Sequence, residues 1–174
     1  LVENVLDFSR IEDGRKSYHF APTDIATLAT ETIQLMQPHA DEKRLKLEGQ
    51  IHAPDDEPSL DAIEIQQVLI NLIDNAIKYS PDGASITVGL EQATPEMIQR
   101  WVQDHGPGIP PDEQEKIFHR FYRIGSELER ETQGVGIGLA IVQHTAEAHG
   151  GRIHVDSRPG AGSRFTLDLP TTAK

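Results

Sequence analysis

The stretch Asn71-Leu72-Ile73-Asp74-Asn75-Ala76-Ile77-Lys78-Tyr79-Ser80 decides the fold. Leu69, Leu72, Ile73 and Ala76 recur at the three-and-four spacing of one helical face, and Ile65 carries that stripe one turn back. Such a face belongs against a core. Asn71, Asn75 and Lys78 form a second stripe roughly opposite, where a solvated helix usually carries Glu, Lys or Gln. Asparagine is a poor helix former because its amide competes for backbone partners, so two on one stripe point to oxygens with another use. A polar surface stripe that happens to hold two asparagines is the alternative.

Three further blocks lie downstream. They are Asp104-His105-Gly106-Pro107-Gly108-Ile109-Pro110, then Ile117-Phe118-His119-Arg120-Phe121-Tyr122-Arg123, then Gly134-Val135-Gly136-Ile137-Gly138-Leu139-Ala140-Ile141-Val142. Together with the opening stretch, their order and separation resemble the N box, first glycine box, F box and second glycine box of the ATP-binding catalytic domain of two-component sensor histidine kinases. A GxGxG run alone is a weak signal; four blocks in series across nearly the whole chain are not.

The bulk numbers set limits. The chain has 174 residues, 37% hydrophobic and 25% charged, which suits one soluble domain plus a tail. No apolar run approaches the ~20 residues of a membrane span and no secretory signal opens the chain, so a cytoplasmic segment is expected, including as the cytoplasmic part of a bacterial inner-membrane protein. Absence of cysteine excludes disulfides and thiolate metal sites. A formal charge of -12 and a pI near 5.0 argue against binding nucleic acid or an anionic membrane surface. A polyphosphate ligand would therefore need the few cations concentrated locally.

Taken in order, Leu1 to Gly14 reads as a helix end, with Leu1, Val5 and Phe8 on one side and Val2 and Leu6 beside them. Tyr18 to Phe20 is expected as a short strand. Pro22-Thr23-Asp24 should cap a helix running to about Glu42, with Leu28, Thr32, Leu35 and Met36 on its buried side. Leu45 to Ile51 reads as a strand, Pro54 to Pro58 as an acidic turn, and Glu57 to Leu60 as a brief pairing before Asp61 caps the long helix. Pro81-Asp82-Gly83 ends that helix, and strands are expected over Ser85 to Leu90 and Ile98 to Val102. A short helix is expected from Pro111 to Phe118. Ile124 to Gln133, rich in Glu and Arg, has the character of a lid, with Phe118 and Phe121 anchoring its first turn in the core. Leu139 to His149 reads as a helix stopped by Gly150-Gly151. Arg152 to Asp156 and Ser163 to Leu169 then form a closing hairpin, followed by a frayed, disordered tail, Thr171 to Lys174.

The resemblance supplies roles for these residues. Asn75 matches the magnesium-binding residue, Lys78 a phosphate contact, Tyr79 a residue packing beside the nucleotide, and Asn71 a group near the γ-phosphate and its water. Mg2+ prefers oxygen ligands and keeps several waters, so one amide plus phosphate oxygens is an ordinary arrangement. Asp104 would accept from the adenine exocyclic amine, with Gly106 and Gly108 allowing backbone approach beneath the base; an Asp-x-Gly turn with no ligand is the alternative. Ser163 is expected to support the Asp104 carboxylate through its hydroxyl. Arg123 matches a phosphate-directed arginine. Gly134, Gly136 and Gly138 lead into a helix N-terminus suited to phosphate, and Val135, Ile137, Leu139 and Ile109 complete the binding blocks.

In related gyrase and mismatch-repair ATPases the position of Asn71 carries a Glu general base. An amide cannot take a proton at neutral pH, so efficient hydrolysis is disfavoured while phosphoryl transfer to a supplied acceptor remains open. None of His19, His39, His52, His105, His119, His144, His149 or His154 is followed by Asp or Glu, so the phosphoacceptor that the resemblance requires is outside this chain. A dinucleotide fold lacks its GxGxxG, and a Walker loop is absent because no Gly precedes Lys.

The expected architecture is an α/β two-layer sandwich, a mixed sheet of about five strands covered on one face by three helices. Residues 1–14 would be the C-terminal end of the second helix of a truncated dimerisation and histidine phosphotransfer domain, and 15–170 the catalytic domain. The resemblance implies binding of ATP with Mg2+ and transfer of the γ-phosphoryl to a histidine on the dimerisation domain, for relay to a response-regulator receiver domain. The intact protein would be a homodimer and this segment a monomer with a sticky first helix. Two alternatives stand beside this: a serine kinase or ATPase of the same superfamily, and a docking module without nucleotide.

Overall fold

The alternating apolar residues of the strand segments assemble into one mixed sheet, seen in a computed structural model that describes residues 2–125 and 136–172. In chain order the elements are α1 (Val2–Glu12), β1 (Ala21–Pro22), α2 (Ile25–Asp41), β2 (Lys46–Ile51), β3 (Ser59–Leu60), α3 (Ala62–Tyr79), β4 (Ser85–Thr94), β5 (Met97–Asp104), α4 (Gly138–Ala148), β6 (Arg152–Ser157) and β7 (Ser163–Pro170). The five-stranded sheet has the order β2-β4-β5-β7-β6, with β2 parallel to β4 and the other pairs antiparallel. Helices α2, α3 and α4 pack on one face, as expected, and α1 lies outside them against α4. Among the described residues no helix is long and apolar enough to cross a membrane.

Helix α3 forms as its pattern dictates. Asp61 caps it, Oδ1 accepting from the Glu64 N–H at 3.2 Å. Ile65, Val68, Leu69, Leu72, Ile73, Ala76 and Ile77 are buried, and each large aliphatic side chain contributes about 1.5–3 kcal/mol. At the far end the Lys43 ammonium donates to the carbonyls of Ile77 and Ser80, both at 2.8 Å, closing groups a helix end leaves open.

Several expectations needed correcting. No strand forms over Tyr18 to Phe20: the His19 N–H donates to Asp61 Oδ2 at 2.7 Å, and the Tyr18 and Phe20 rings pack on His149. The short strand is Ala21–Pro22, paired with Ser59–Leu60. On α2 the buried side is Ile25, Ala29, Thr32, Met36 and Ala40, while Leu35 is 59% exposed, because the helix is rotated to present that register to the sheet. The helix expected from Pro111 reduces to a 3-10 turn, Lys116–Phe118, after two prolines that supply no backbone donors. Phe118 is buried edge-on against Phe165, but Phe121 is 61% exposed and meets Phe8 of α1 instead. The tail is not free from Thr171, whose N–H donates to the Glu96 carbonyl at 3.0 Å. Residues 173 and 174 lie outside those described, as does the expected lid from position 126 onward.

Two buried polar groups stand out. Arg100 is 2% exposed on the helix-facing side of β5, between Leu90 and Leu167 in register, and none of its guanidinium nitrogens has a hydrogen-bond partner among the described residues. Burial pushes its pKa down to about 9. On the opposite face Trp101 lies over Gly89, where a Cβ would come within 1.9 Å of the indole, and the Arg164 guanidinium sits 4.9 Å from the ring centroid.

An unpaired cation in an apolar core costs free energy, so Arg100→Leu should stabilise the fold by roughly 1–4 kcal/mol, measured by urea denaturation. His149 generates a pH prediction. Its Nδ1–H donates to the Thr145 carbonyl at 2.7 Å and its Nε2 accepts from the Asp61 N–H at 3.1 Å, which requires the neutral ring. Burial pushes its pKa below the ordinary value. The unfolded chain therefore binds a proton first, and this contribution, complete above about pH 6.5, is lost as pH falls from there through the depressed folded value. Asp104, whose pKa is raised, acts in the opposite sense. Denaturation of the wild type beside His149→Gln isolates the histidine: the variant should lose less stability between pH 7 and 5.

Candidate functional site

Asn71, on the polar stripe of α3, faces the start of α4. A Cβ placed on Gly138, the first residue of α4, would lie 3.9 Å from the Asn71 amide carbon. Ile137, at the cap position, makes no side-chain cap, so the first amides of α4 gain no partner from it. Asn71 accepts at Oδ1 from Asn4 Nδ2 at 3.1 Å and from Gln67 Nε2 at 3.4 Å, while its buried Nδ2 has no partner among the described residues. Asn75 is half-buried and its amide is unengaged among the described residues. Lys78 is held by Asp74 one turn back, at 2.8 Å.

A loop closes beneath the end of α3. Gly106 approaches so near that a Cβ there would be 2.6 Å from the Tyr79 carbonyl. Gly108 has φ +75°, and a Cβ would sit 2.0 Å from the Arg158 carbonyl, so only glycine fits on both counts. Asp104, the last residue of β5, is 6% exposed and accepts from the Gly106 N–H at 2.8 Å. Burial pushes its carboxyl above the ordinary range, against the pull of backbone hydrogen bonds from Gly106 and Ser163 and of nearby His105.

Of the expected site residues, Asn71, Asn75, Lys78, Tyr79, Asp104, Gly106, Gly108, Ile109, Ile137, Gly138 and Leu139 lie on these adjoining elements. Gly136 joins them through its carbonyl, which accepts from the Phe121 N–H at 2.8 Å. Arg123 follows two residues later and is half-buried. Gly134 and Val135 lie outside the described residues. Ser163 supports Asp104 through its backbone and not, as expected, through its hydroxyl, which bonds to Ser157 Oγ at 2.8 Å.

Ser157 is the residue the sequence did not flag. Its Oγ accepts from the Ile109 N–H and donates to the Gly162 carbonyl, each at 2.8 Å, leaving Ser163 as donor in the third bond. Gln114 completes the knot, its Nε2 reaching the carbonyls of Ile109 and Ser157 at 3.0 Å. A serine closing a strand carries no local signal of this. Its partners come from segments about fifty residues apart.

The model of the histidine kinase-, DNA gyrase B- and HSP90-like ATPase family matches residues 60–173, which contain α3, the loop after Asp104 and α4. The chain belongs to this family. Within it, the relatives identify an ATP-binding domain of the sensor histidine kinase type. The adaptive-response sensory kinase SasA of Synechocystis sp. is 40% identical over 172 residues, 98% of this chain and 44% of the relative. The crystal structure of full-length ShkA in complex with AMPPNP superposes with a TM-score of 0.85 at 29% identity, covering 99% of this chain and 36% of that one. The mycobacterial sensor histidine kinase MprB gives 0.77 at 27% identity, covering 90% of this chain and all of that one. The chain thus spans less than half the length of SasA, a curated relative that it matches.

Ser157→Ala removes the acceptor for Ile109 and strands the Gly162 carbonyl. It should cost about 1–3 kcal/mol in chemical denaturation, the cost of leaving buried partners unsatisfied.

Proposed function

We propose that this domain binds Mg-ATP between α3, the Asp104–Pro110 loop and the start of α4, and offers the γ-phosphoryl to a histidine on a dimerisation domain whose second helix ends in α1. Asp104 accepts from the adenine amine while Gly106 and Gly108 admit the base. Tyr79 packs beside the nucleotide, Ile109, Ile137 and Leu139 lend apolar contact, and Lys78 and Arg123 answer phosphate charge. Gly134, Val135, Gly136 and Gly138 cradle the phosphates.

The donor set fits the metal: one unengaged amide, Asn75, beside a phosphate site, with no cluster of three or more His, Asp or Glu among the described residues that could cage a cation. This suits Mg2+ arriving with the triphosphate, which it serves by neutralising phosphate charge.

The observation that carries the reading is Asn71. Water must lose a proton to attack phosphorus, whereas a neutral imidazole attacks with a lone pair it already has. In that step the ring nitrogen bonds to the γ-phosphorus, the bond to the bridging oxygen breaks, and ADP leaves with the electron pair. A buried amide with an unpaired N–H can donate to phosphate but cannot act as a base, which suits transfer and disfavours hydrolysis. A receiver-domain aspartate would take the phosphoryl next. Such chemistry belongs in the cytoplasm, in a dimer of the intact kinase.

Asp104→Asn replaces a two-oxygen acceptor with a group that turns donors toward backbone N–H groups, so calorimetry should show nucleotide affinity lost with the fold intact. Incubation with labelled ATP and a separate histidine-bearing dimerisation domain should give acid-labile phosphohistidine. Release of inorganic phosphate without transfer would instead make the domain an ATPase.

A further inference from the structure

Helix α1 is fastened to the nucleotide-bearing layer at three points. Lys16, just beyond its end, is nearly enclosed and donates to Asp7 at 3.0 Å and to Glu64 of α3 at 2.8 Å. Burial alone would push Lys16 down, but the hydrogen bonds with Glu64 and Asp7 together hold it above the ordinary lysine value. Glu12 pairs with Arg120 at 2.6 Å, and Phe8 meets Phe121 edge-on with centroids 5.5 Å apart. These anchors deliver Asn4 to the middle of α3.

There Asn4, Gln67 and Asn71 form a triangle of amides. Asn4 Nδ2 donates to Asn71 Oδ1, Gln67 Nε2 donates to the same oxygen, and Gln67 Nε2 lies 3.5 Å from Asn4 Oδ1. Two donors on one oxygen fix which way the Asn71 amide faces. Its oxygen is turned to α1, and its nitrogen is left buried with no partner among the described residues; the amide carbon is the atom that a Cβ on Gly138, at the start of α4, would approach, at 3.9 Å.

We propose that Asn4 is a positioning residue for the reaction: it holds the Asn71 amide with its N–H toward the terminal phosphate. The proposal rests on the nucleotide site described above. It makes the phosphate end of that site depend on α1. An acceptor in place of Asn4 would draw the Asn71 nitrogen to itself and present oxygen to the phosphate. Amide-for-carboxylate exchange therefore has a predicted sign.

The test is calorimetric titration of this chain with Mg-AMPPNP and with Mg-ADP, for wild type, Asn4→Ala, Asn4→Asp, Asn71→Ala and the Asn4→Asp/Asn71→Ala pair. Circular dichroism of each checks the fold. Asn4→Asp should weaken the triphosphate analogue about tenfold more than ADP, the loss of one hydrogen bond to a charged group, and Asn4→Ala by a smaller factor in the same sense. In the Asn71→Ala background, Asn4→Asp should leave the ratio of the two affinities unchanged, because no amide remains to turn. A ratio unmoved by either Asn4 substitution overturns the proposal. So does an equal Asn4→Asp effect with and without Asn71, which would make it mere charge repulsion. No nucleotide binding by the wild-type chain overturns the proposed function and this inference with it; binding with either of the other results overturns this inference alone.

Discussion

One buried carboxylate, Asp61, ties together the two helices that frame the candidate site. Its Oδ1 caps α3, its Oδ2 takes the His19 N–H, and its own backbone N–H donates to His149 at the end of α4. The start of one helix and the end of the other are thereby pinned at a common point. From there α3 advances about 1.5 Å per residue, so a fixed cap and a buried stripe together determine where the amide of Asn71 stands, roughly 15 Å along. The start of α4 meets it there.

Cations are scarce in an acidic chain, and the structure commits several of them to its own architecture. Lys43 closes the end of α3 and Lys16 fastens the first helix. In the proposed site, neutral donors then share the recognition of a polyphosphate with Lys78 and Arg123: backbone amides at the start of α4, where no side chain caps the helix, and the Asn71 nitrogen, which has no partner among the described residues. Such donors are fixed by the fold. They need no reorganisation to meet an anion, which is how charge is best stabilised away from water.

What could be read without coordinates was whatever is encoded locally. The Asp61 and Asp24 caps, the α3 stripe, the Gly150-Gly151 stop and the Asp104 loop each depend on neighbours a few residues away, and each is found as expected. Leu35, Phe121 and Tyr18 went astray because their burial is settled by other segments: the rotation of α2 on the sheet, the presence of α1, and the pull of Asp61 on the neighbouring backbone. Asn4 and Ser157 were invisible for the same reason. Asn4 meets Asn71 across 67 residues, and Ser157 meets Ile109 across 48.

The stacking of Trp101 over Gly89 has an optical meaning. It is the chain's single tryptophan, and it stands on the face of the sheet turned away from the helices, beneath the Arg164 guanidinium. Its emission is thus a reporter of the sheet and not of the candidate site, whose residues lie on the other side. A ligand that changes that signal has moved the sheet itself; one that leaves it silent has been accommodated by the helical layer alone.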